Sequence, residues 1–318
     1  MKKIVIFNVG GALSSYLEFD DMRIVIDLGA SADFSPVDDF LIPLAEKRSF
    51  PTIANAGKYA IDQLFISHLD KDHISDYEKF KNKFHPDWMT CPNNNEKEGR
   101  DGAKQHEHFK VNVDMLGEEN DMRNMILEDM GARQPIASNT PLAAKSDNIK
   151  LFFIKPKECE ESEELSSCYA NNISLVLFVI LNEKTILLPG DILKDGMKYL
   201  IENRLDFKNE LNNVGVDYLV APHHGLATSF PESLFQELKG GKTRLNIISE
   251  KTRANGSEEN RSDVDGRYYS SDYSTANNDL KQNAVKTSKG HIVINLETAE
   301  GEVKQIKDNE ELLKEFLN

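Results

Sequence analysis

The sequence predicts an α/β fold in which short strands alternate with helices. Apolar runs of four to ten residues recur along the chain, most of them stopped by Gly, Pro, Asn or Asp. Between them lie segments whose apolar residues recur at helical spacing. A third observation marks one edge of the fold. Three of the runs end almost directly in His and Asp side chains, at residues 68–73, at Gly190-Asp191 and at Pro222-His223-His224-Gly225.

In chain order, residues 4–7 form the first run, ended by Asn8 and Gly10-Gly11. Residues 15–19 and 23–27 read as a meander turning at Asp20-Asp21. Residues 61–66 lead through Ser67 into the first cluster, and 88–91 stop at Pro92 and a run of asparagines. Residues 151–155 stop at Pro156, and 172–181 with 185–188 read as a hairpin around Asn182-Glu183. Residues 218–221 lead into the histidine pair, and 245–248 and 291–296 complete the strands. Helical patterns cover 75–83, 118–130, 194–203 and 232–238. A last helix over about 308–317 opens at Asp308 with Glu311 three residues on, a capping-box pattern. Leu312, Leu313, Phe316 and Leu317 form its apolar side, which predicts packing against the body.

A chain of 318 residues can build one large domain or two small ones. No internal repeat divides it, and the polar stretches 93–118 and 250–283 do not separate two cores. The expected organisation is one domain over 1–297, with polar insertions at about 93–150 and 250–283, and a C-terminal extension over 298–318 carrying the terminal helix.

With 38 basic against 53 acidic residues the net charge is −15, which argues against a surface that coats nucleic acid non-specifically. A nucleic-acid substrate stays compatible with that charge, because divalent ions and a local basic strip reverse the field in one cleft. Cys91, Cys159 and Cys168 form no CxxC pair, so neither a disulfide framework nor a zinc ribbon is indicated, and a reducing cytoplasm fits best. The apolar start after Lys2-Lys3 is too short for a signal peptide, and no run is long enough to span a bilayer, so no membrane partner is expected.

His68-Leu69-Asp70-Lys71-Asp72-His73 places four potential metal ligands in six residues after a buried strand. Imidazole and carboxylate together suit Zn²⁺, Mn²⁺ and Fe, and carboxylate-rich sites lean towards harder ions such as Mn²⁺. Each part has a plainer explanation. Asp72 could cap a helix near Ser75, Gly-Asp after a strand is commonly a turn, and a His-His pair can be a packed pair. The coincidence of three such signals, each after an apolar strand, favours one metal site of one or two ions. Gly190 turns the backbone so that Asp191 stands at a strand end, where a carboxylate can bridge two cations.

The cluster resembles the HxHxDH signature of the metallo-β-lactamase fold. More specifically, His68–His73, Asn171-Asn172-Ile173-Ser174-Leu175-Val176-Leu177, Leu187-Leu188-Pro189-Gly190-Asp191-Ile192 and Pro222-His223-His224-Gly225 resemble its ComEC-type branch, which holds the hydrolase domain of competence DNA-uptake proteins. Phe7-Asn8-Val9-Gly10, Ile26-Asp27-Leu28-Gly29 and Lys286-Thr287-Ser288-Lys289-Gly290-His291-Ile292 resemble that branch's opening hairpin and closing strand. The resemblance implies an αββα sandwich, two mixed β-sheets face to face with outer helices and a metal centre at one edge. It implies His68 and Asp70 on a first ion and Asp72 and His73 on a second, with Asp191 bridging. His223 or His224 would complete the second position, His223 being assigned to the metal. His224, with Asp72 and Asp191, is assigned to catalysis. Asp27 and Asn172 would support the ligands from behind.

Departures from the pattern are as informative. Asp70 stands where other members carry histidine. The separate histidine between cluster and bridging aspartate has no clear counterpart. His85, His106 and His108 fall in that interval, none in a motif after a strand. Leu226 follows Pro-His-His-Gly where the branch has serine, and residues 250–283 depart from the branch's Asn-x-Tyr-Gly-His-Pro-like segment, of which Arg253-Ala254-Asn255-Gly256 resembles a remnant.

The function expected from this set is a metal-dependent hydrolase, a phosphodiesterase or nuclease using one or two Zn or Mn ions and a metal-activated water. Lys71, Arg253, Arg261 and Arg267 are the basic residues expected to hold a nucleic-acid or nucleotide backbone, with Tyr268, Tyr269 and Tyr273 stacking on bases. Two alternatives stay open: a small-molecule hydrolase acting on a cyclic nucleotide, lactone or thioester, and a non-catalytic metal-binding partner subunit. A protein partner or homo-oligomer is compatible with each.

Overall fold

The computed structural model describes residues 1–53, 57–92, 144, 146–250, 264–298 and 301–317. Thirteen strands lie in two sheets among them. The first has the order β13-β12-β1-β2-β3-β4-β5 and the second β11-β10-β9-β8-β7-β6. The strands of the first sheet are β1 (Lys2–Ile6), β2 (Ser14–Phe19), β3 (Met22–Leu28), β4 (Tyr59–Phe65), β5 (Phe84–Thr90), β12 (His291–Asn295) and β13 (Glu302–Ile306). Those of the second are β6 (Ile149–Phe152), β7 (Val176–Leu181), β8 (Lys184–Leu188), β9 (Tyr218–Val220), β10 (Leu245–Ile248) and β11 (Ala284–Lys286). Both sheets are mixed: β3, β4 and β5 run parallel, as do β8, β9, β10 and β11, and the other pairs are antiparallel.

Alternation along the strands builds the layers. Ile4, Ile6, Leu17, Ile24 and Ile26 meet Leu177, Val179, Ile186, Leu188, Tyr218 and Val220 in one buried cluster between the sheets. Their neighbours in sequence, among them Val5, Tyr16, Val25, Phe178, Leu187 and Leu219, face outward into the layers of helices. Phe40 and Phe316 pack edge-on against Tyr16 on one outer face, and Phe152 meets Phe207 on the other. The result is an αββα sandwich.

Two hairpin turns follow directly from their residues. Asp20 and Asp21 have φ of 47° and 66°, and Asn182 and Glu183 have φ of 49° and 63°, the left-handed pair that a two-residue hairpin needs. Helix Lys194–Asn203 and strand β10 have the bounds read from the sequence. Three expectations change. The strand expected from residue 172 begins at Val176, because Tyr169–Asn172 is a turn of helix. The helix expected from residue 75 begins at Tyr77 and runs to Lys83, and a separate helical turn, Lys71–Ile74, precedes it, so Asp72 and His73 ride on a helical turn rather than an open loop. The segment 298–318 supplies β13, paired along its length with β12, and helix Asn309–Glu315, capped by Asp308 through the Glu311 amide. The helical pattern at 118–130 lies outside the described residues.

The topology also brings the ligand-bearing segments together. The carboxyl ends of β4, β8, β9 and β10 all open onto one edge, where Leu175 N–H donates to Ser67 O at 2.9 Å and His223 N–H donates to Gly190 O at 3.2 Å. The first of these bonds ties the two sheets, and the second ties the two ligand-bearing turns of the second sheet.

Candidate metal centre

Four side chains converge most tightly. One ligand atom from each of Asp72, His73, Asp191 and His224 lies within 4.8 Å of the others. His73 Nε2 is 3.2 Å from Asp191 Oδ1, and His224 Nε2 is 3.2 Å from Asp72 Oδ2 and 3.6 Å from Asp191 Oδ2. A second, looser group surrounds Asp191 Oδ2, with His68 Nε2 and His223 Nε2 each at 3.9 Å and Asp70 Oδ2 3.7 Å from His68 Nε2.

Local backbone explains how each arrives there. Asp70 is extended, with φ −78° and ψ 151°, and its carbonyl accepts from His73 N–H at 2.9 Å, so one helical turn carries Asp72 and His73. That turn is held from below: Leu13 N–H donates to Asp72 O at 3.0 Å. Gly29 lies so close that a Cβ there would sit 2.2 Å from the same oxygen. Gly190, with φ +58°, packs where a Cβ would come within 2.9 Å of Ser67 Cβ, so the turn before Asp191 accepts no side chain. His223 and His224 have φ of 47° and 58°, two consecutive left-handed residues without glycine's freedom. Such backbone costs on the order of 1–2 kcal/mol per residue and is found where the surroundings enforce it. Here the His223–Gly190 bond and the contacts of His224 with Ser249 enforce it.

Behind the ligands, every imidazole has a partner for its other nitrogen. Asp27, at φ 56° in the bulge opposite Ser14 and Ser15, accepts from His73 Nδ1 at 2.8 Å. It also accepts from Ser67 N–H at 2.7 Å and Ser67 Oγ at 2.8 Å. His224 Nδ1 donates to the Ser249 carbonyl at 3.1 Å, and His223 Nδ1 is 3.1 Å from Ser229 Oγ. Asn172 is placed differently. Its amide donates to Leu165 O at 2.9 Å and accepts from Leu193 N–H at 3.3 Å, so it braces the turn after Asp191.

Charge and burial oppose each other throughout. Burial pushes the Asp191 carboxyl up, but the positive charges of His73 and His224 outweigh it and hold the group well below the usual carboxylate range. Burial likewise raises Asp72, yet the His224 hydrogen bond and the His73 charge lower it to about 2. Burial lowers His73, but Asp191 and Asp27 outweigh it and raise the group; burial likewise lowers His224, but Asp191 and Asp72 raise it. His223 is lowered, chiefly by burial.

Does this set suit a metal ion? His68 Nε2 and His73 Nε2 are buried and have no hydrogen-bond partner; the approach of His73 Nε2 to Asp191 is close but off hydrogen-bond geometry. Two orphaned imidazole nitrogens facing a buried carboxylate are costly unless something accepts their lone pairs. A divalent cation does so, and the mixed imidazole and carboxylate donors fit one. Asp72, His73, Asp191 and His224 would hold it, with His68, Asp70 and His223 placed around a second position.

No protein-family model matches the chain, and no curated protein matches it. Solved structures similar to it include proteins described as metallo-β-lactamases or metallo-β-lactamase-fold proteins. One is the metallo-beta-lactamase fold protein YhfI from Bacillus subtilis, 11% identical, covering 77% of this chain and 84% of that one, with a TM-score of 0.39. Another is a metallo hydrolase from the hyperthermophilic archaeon Ignicoccus hospitalis, 14% identical, covering 78% and 82%, with a TM-score of 0.36.

The residues expected to hold substrate are placed less favourably. Arg267 is paired with Asp265 at 2.8 Å and Glu232 at 3.3 Å and lies over the Phe230 ring at 3.9 Å. Asp265 in the same loop and Glu232 on helix Glu232–Glu237 both pair with its charge. Tyr268 is fully buried against Phe230, which corrects its expected role in stacking on bases. Tyr273 packs edge-on against Phe230 and Phe235. Lys71 is exposed on the ligand-bearing turn. Arg253 and Arg261 lie outside the described residues, as do His106 and His108; His85 is exposed at the start of β5.

Sequence reasoning passed over the serines. Ser67 precedes His68 and Ser174 sits inside the Asn-Asn-Ile-Ser motif, so both were visible by position. Ser174 Oγ accepts from Asp191 N–H at 3.2 Å. Ser249, which meets His224, follows a strand with no ligand of its own and left no signal.

Proposed function

We propose that this chain is a divalent-metal-dependent hydrolase of phosphodiester bonds, acting on nucleic acid or a nucleotide with Zn or Mn. The observation that supports it is the donor set: Asp70, Asp72 and Asp191 bring three carboxylates to four imidazoles at one edge. Such a set suits ions that tolerate phosphate oxygens. A bound divalent ion supplies Lewis acidity, lowering the pKa of water from about 15.7 to about 7. The chain's own groups do the rest. Asp72, 31% exposed, stands at the mouth and can take a proton from water, with His224 orienting its Oδ2. Asp191 stays ionised and counterbalances cationic charge from beneath. His223, 28% exposed and with a lowered pKa, offers a neutral imidazole towards the opening.

The test is incubation of the purified chain with Mn²⁺ or Zn²⁺ and single- and double-stranded DNA, RNA and bis(p-nitrophenyl) phosphate, with Asp191→Asn as control. Metal-dependent cleavage abolished in the variant is expected. No cleavage of any phosphodiester with either metal ends this reading.

A second reading, hydrolysis of a small ester or cyclic nucleotide, is favoured by one observation: Arg267 is neutralised by Asp265 and Glu232, and Tyr268 is buried. Activity confined to small esters, with polynucleotides untouched, selects it.

A further inference from the structure

Ser67 stands between the two histidines whose outer nitrogens have no partner. Its hydroxyl is 2.8 Å from Asp27 Oδ2, 3.2 Å from His68 Nδ1 and 3.1 Å from His73 Nδ1. Its backbone N–H donates to Asp27 Oδ1 at 2.7 Å. We propose that Ser67 is a positioning residue that sets the tautomer of His68 and, through Asp27, ties it to that of His73. The inference rests on reading the site as a metal centre, but not on its substrate.

The proton count supports it. A serine hydroxyl has one proton to give, and an ionised carboxylate only accepts. If the Ser67 hydroxyl donates to Asp27 Oδ2, its oxygen is left to accept from His68 Nδ1–H. His73 Nδ1–H donates to the same Asp27 Oδ2 at 2.8 Å. In the neutral rings both Nε2 atoms are then bare, as two ligand nitrogens must be. They face the two oxygens of one carboxylate, His73 Nε2 at 3.2 Å from Asp191 Oδ1 and His68 Nε2 at 3.9 Å from Oδ2.

The reverse arrangement fails. Were the hydroxyl turned to His68 Nδ1, the His68 proton would sit on Nε2, a buried atom with no hydrogen-bond acceptor, and Asp27 Oδ2 would lose a donor. Nor can the hydroxyl escape to water. Ser67 is 2% exposed, and Gly190 lies so near that a Cβ there would meet Ser67 Cβ at 2.9 Å and Oγ at 3.1 Å. The nitrogen that a histidine presents to a metal is governed by the hydrogen bond at its other nitrogen. At His68 that bond is to Ser67.

The experiment uses the full chain, labelled with ¹⁵N-histidine and freed of metal. Long-range ¹H–¹⁵N correlation spectra report which nitrogen of each ring carries the proton. The wild type is expected to show His68 as a single Nδ1–H tautomer, and Ser67→Ala a mixture with Nε2–H. Zinc affinity by competition titration is expected to fall by about 10–100-fold. Ser67→Cys, which fills the site with a slightly larger group but weakens the hydrogen bonds, gives the same direction if the alanine variant does not fold. Ser67→Thr, which restores the hydroxyl, returns the tautomer to Nδ1–H. An unchanged His68 tautomer in Ser67→Ala overturns the proposal, even if stability or affinity falls, because packing alone would do that. Failure of the wild type to bind zinc would instead sink the metal reading, and the tautomer result would stand apart from it.

Discussion

His224 directs Nε2 to within 3.2 Å of Asp72 Oδ2, whereas its neighbour His223 comes no nearer than 3.9 Å to Asp191 Oδ2. Both side chains leave left-handed backbone, yet His224 is almost fully buried with Nδ1 on Ser249, and His223 is partly open to solvent. The sequence alone assigned the metal to His223 and catalysis to His224. The geometry brings His224 into the tight group of four and leaves His223 in the looser one.

That difference predicts an asymmetry between two variants. His224→Ala removes a donor from the tight group and takes from Asp72 Oδ2 its hydrogen-bonding imidazole. Metal content after dialysis is expected to fall below one ion per chain. His223→Ala is expected to keep one ion and lose the more weakly held one. Elemental analysis of both proteins checks it, and equal losses would contradict the asymmetry.

Gly190→Ala tests how the site is presented. An alanine there adopts left-handed backbone at a cost of about 1–2 kcal/mol and brings a Cβ to 2.9 Å from Ser67 and 3.1 Å from Ser174. Relieving that clash adds roughly 1–3 kcal/mol. Lower thermal stability and weaker metal binding are both expected, because Ser174 holds the Asp191 N–H and Ser67 holds the histidines. Calorimetric melts and metal titration measure the two effects separately.

Much of the fold was legible because its turns and strand interiors carry local signals. Asp20-Asp21 and Asn182 suit the left-handed backbone that their hairpins use, and β10 is a mostly apolar run, Leu-Asn-Ile-Ile, between the polar Arg244 and Ser249. Other elements carry no such signal. β13 is a polar edge strand, Glu-Val-Lys-Gln-Ile, which is a strand because β12 is there to pair with it. Helix Leu205–Asn213 follows the preceding helix after a single residue, so no turn chemistry separates them. At the site, the ligands were visible because His and Asp after apolar strands are unusual. Their supports were not, since a serine such as Ser249 is ordinary until its partner in space is known.

Phe316→Ala tests whether the C-terminal segment is part of the body. Phe316 is fully buried, with ring centroids 5.7 Å from Tyr16 and 5.2 Å from Phe40. Its truncation is expected to cost about 3–5 kcal/mol. Chemical denaturation is expected to remain a single transition at a lower midpoint. An early separate transition, with the rest of the protein unchanged, would mark the segment as an independent appendage.

His291 predicts a pH dependence of stability away from the metal centre. It is buried at the start of β12, where Nδ1 accepts from Asn8 N–H at 3.1 Å, Nε2 faces Asn309 Oδ1 at 3.3 Å and the ring lies 4.5 Å from Phe34. Accepting at Nδ1 requires the neutral ring, and burial pushes the pKa down from 6.5 to about 4. The folded value is therefore below the unfolded one, and protonation favours the unfolded chain. The contribution is fully present above about pH 6.5, is lost as the pH falls towards about 4, and loses nothing more below that. At about 1.4 kcal/mol for each pH unit, the loss is roughly 3 kcal/mol. Urea unfolding of the wild type and His291→Gln, with chelator present, is expected to show the wild type's advantage shrinking as the buffer is taken from near neutral to near the folded pKa. An advantage of the same size at both ends of that range would mean that His291 is not held neutral by its burial.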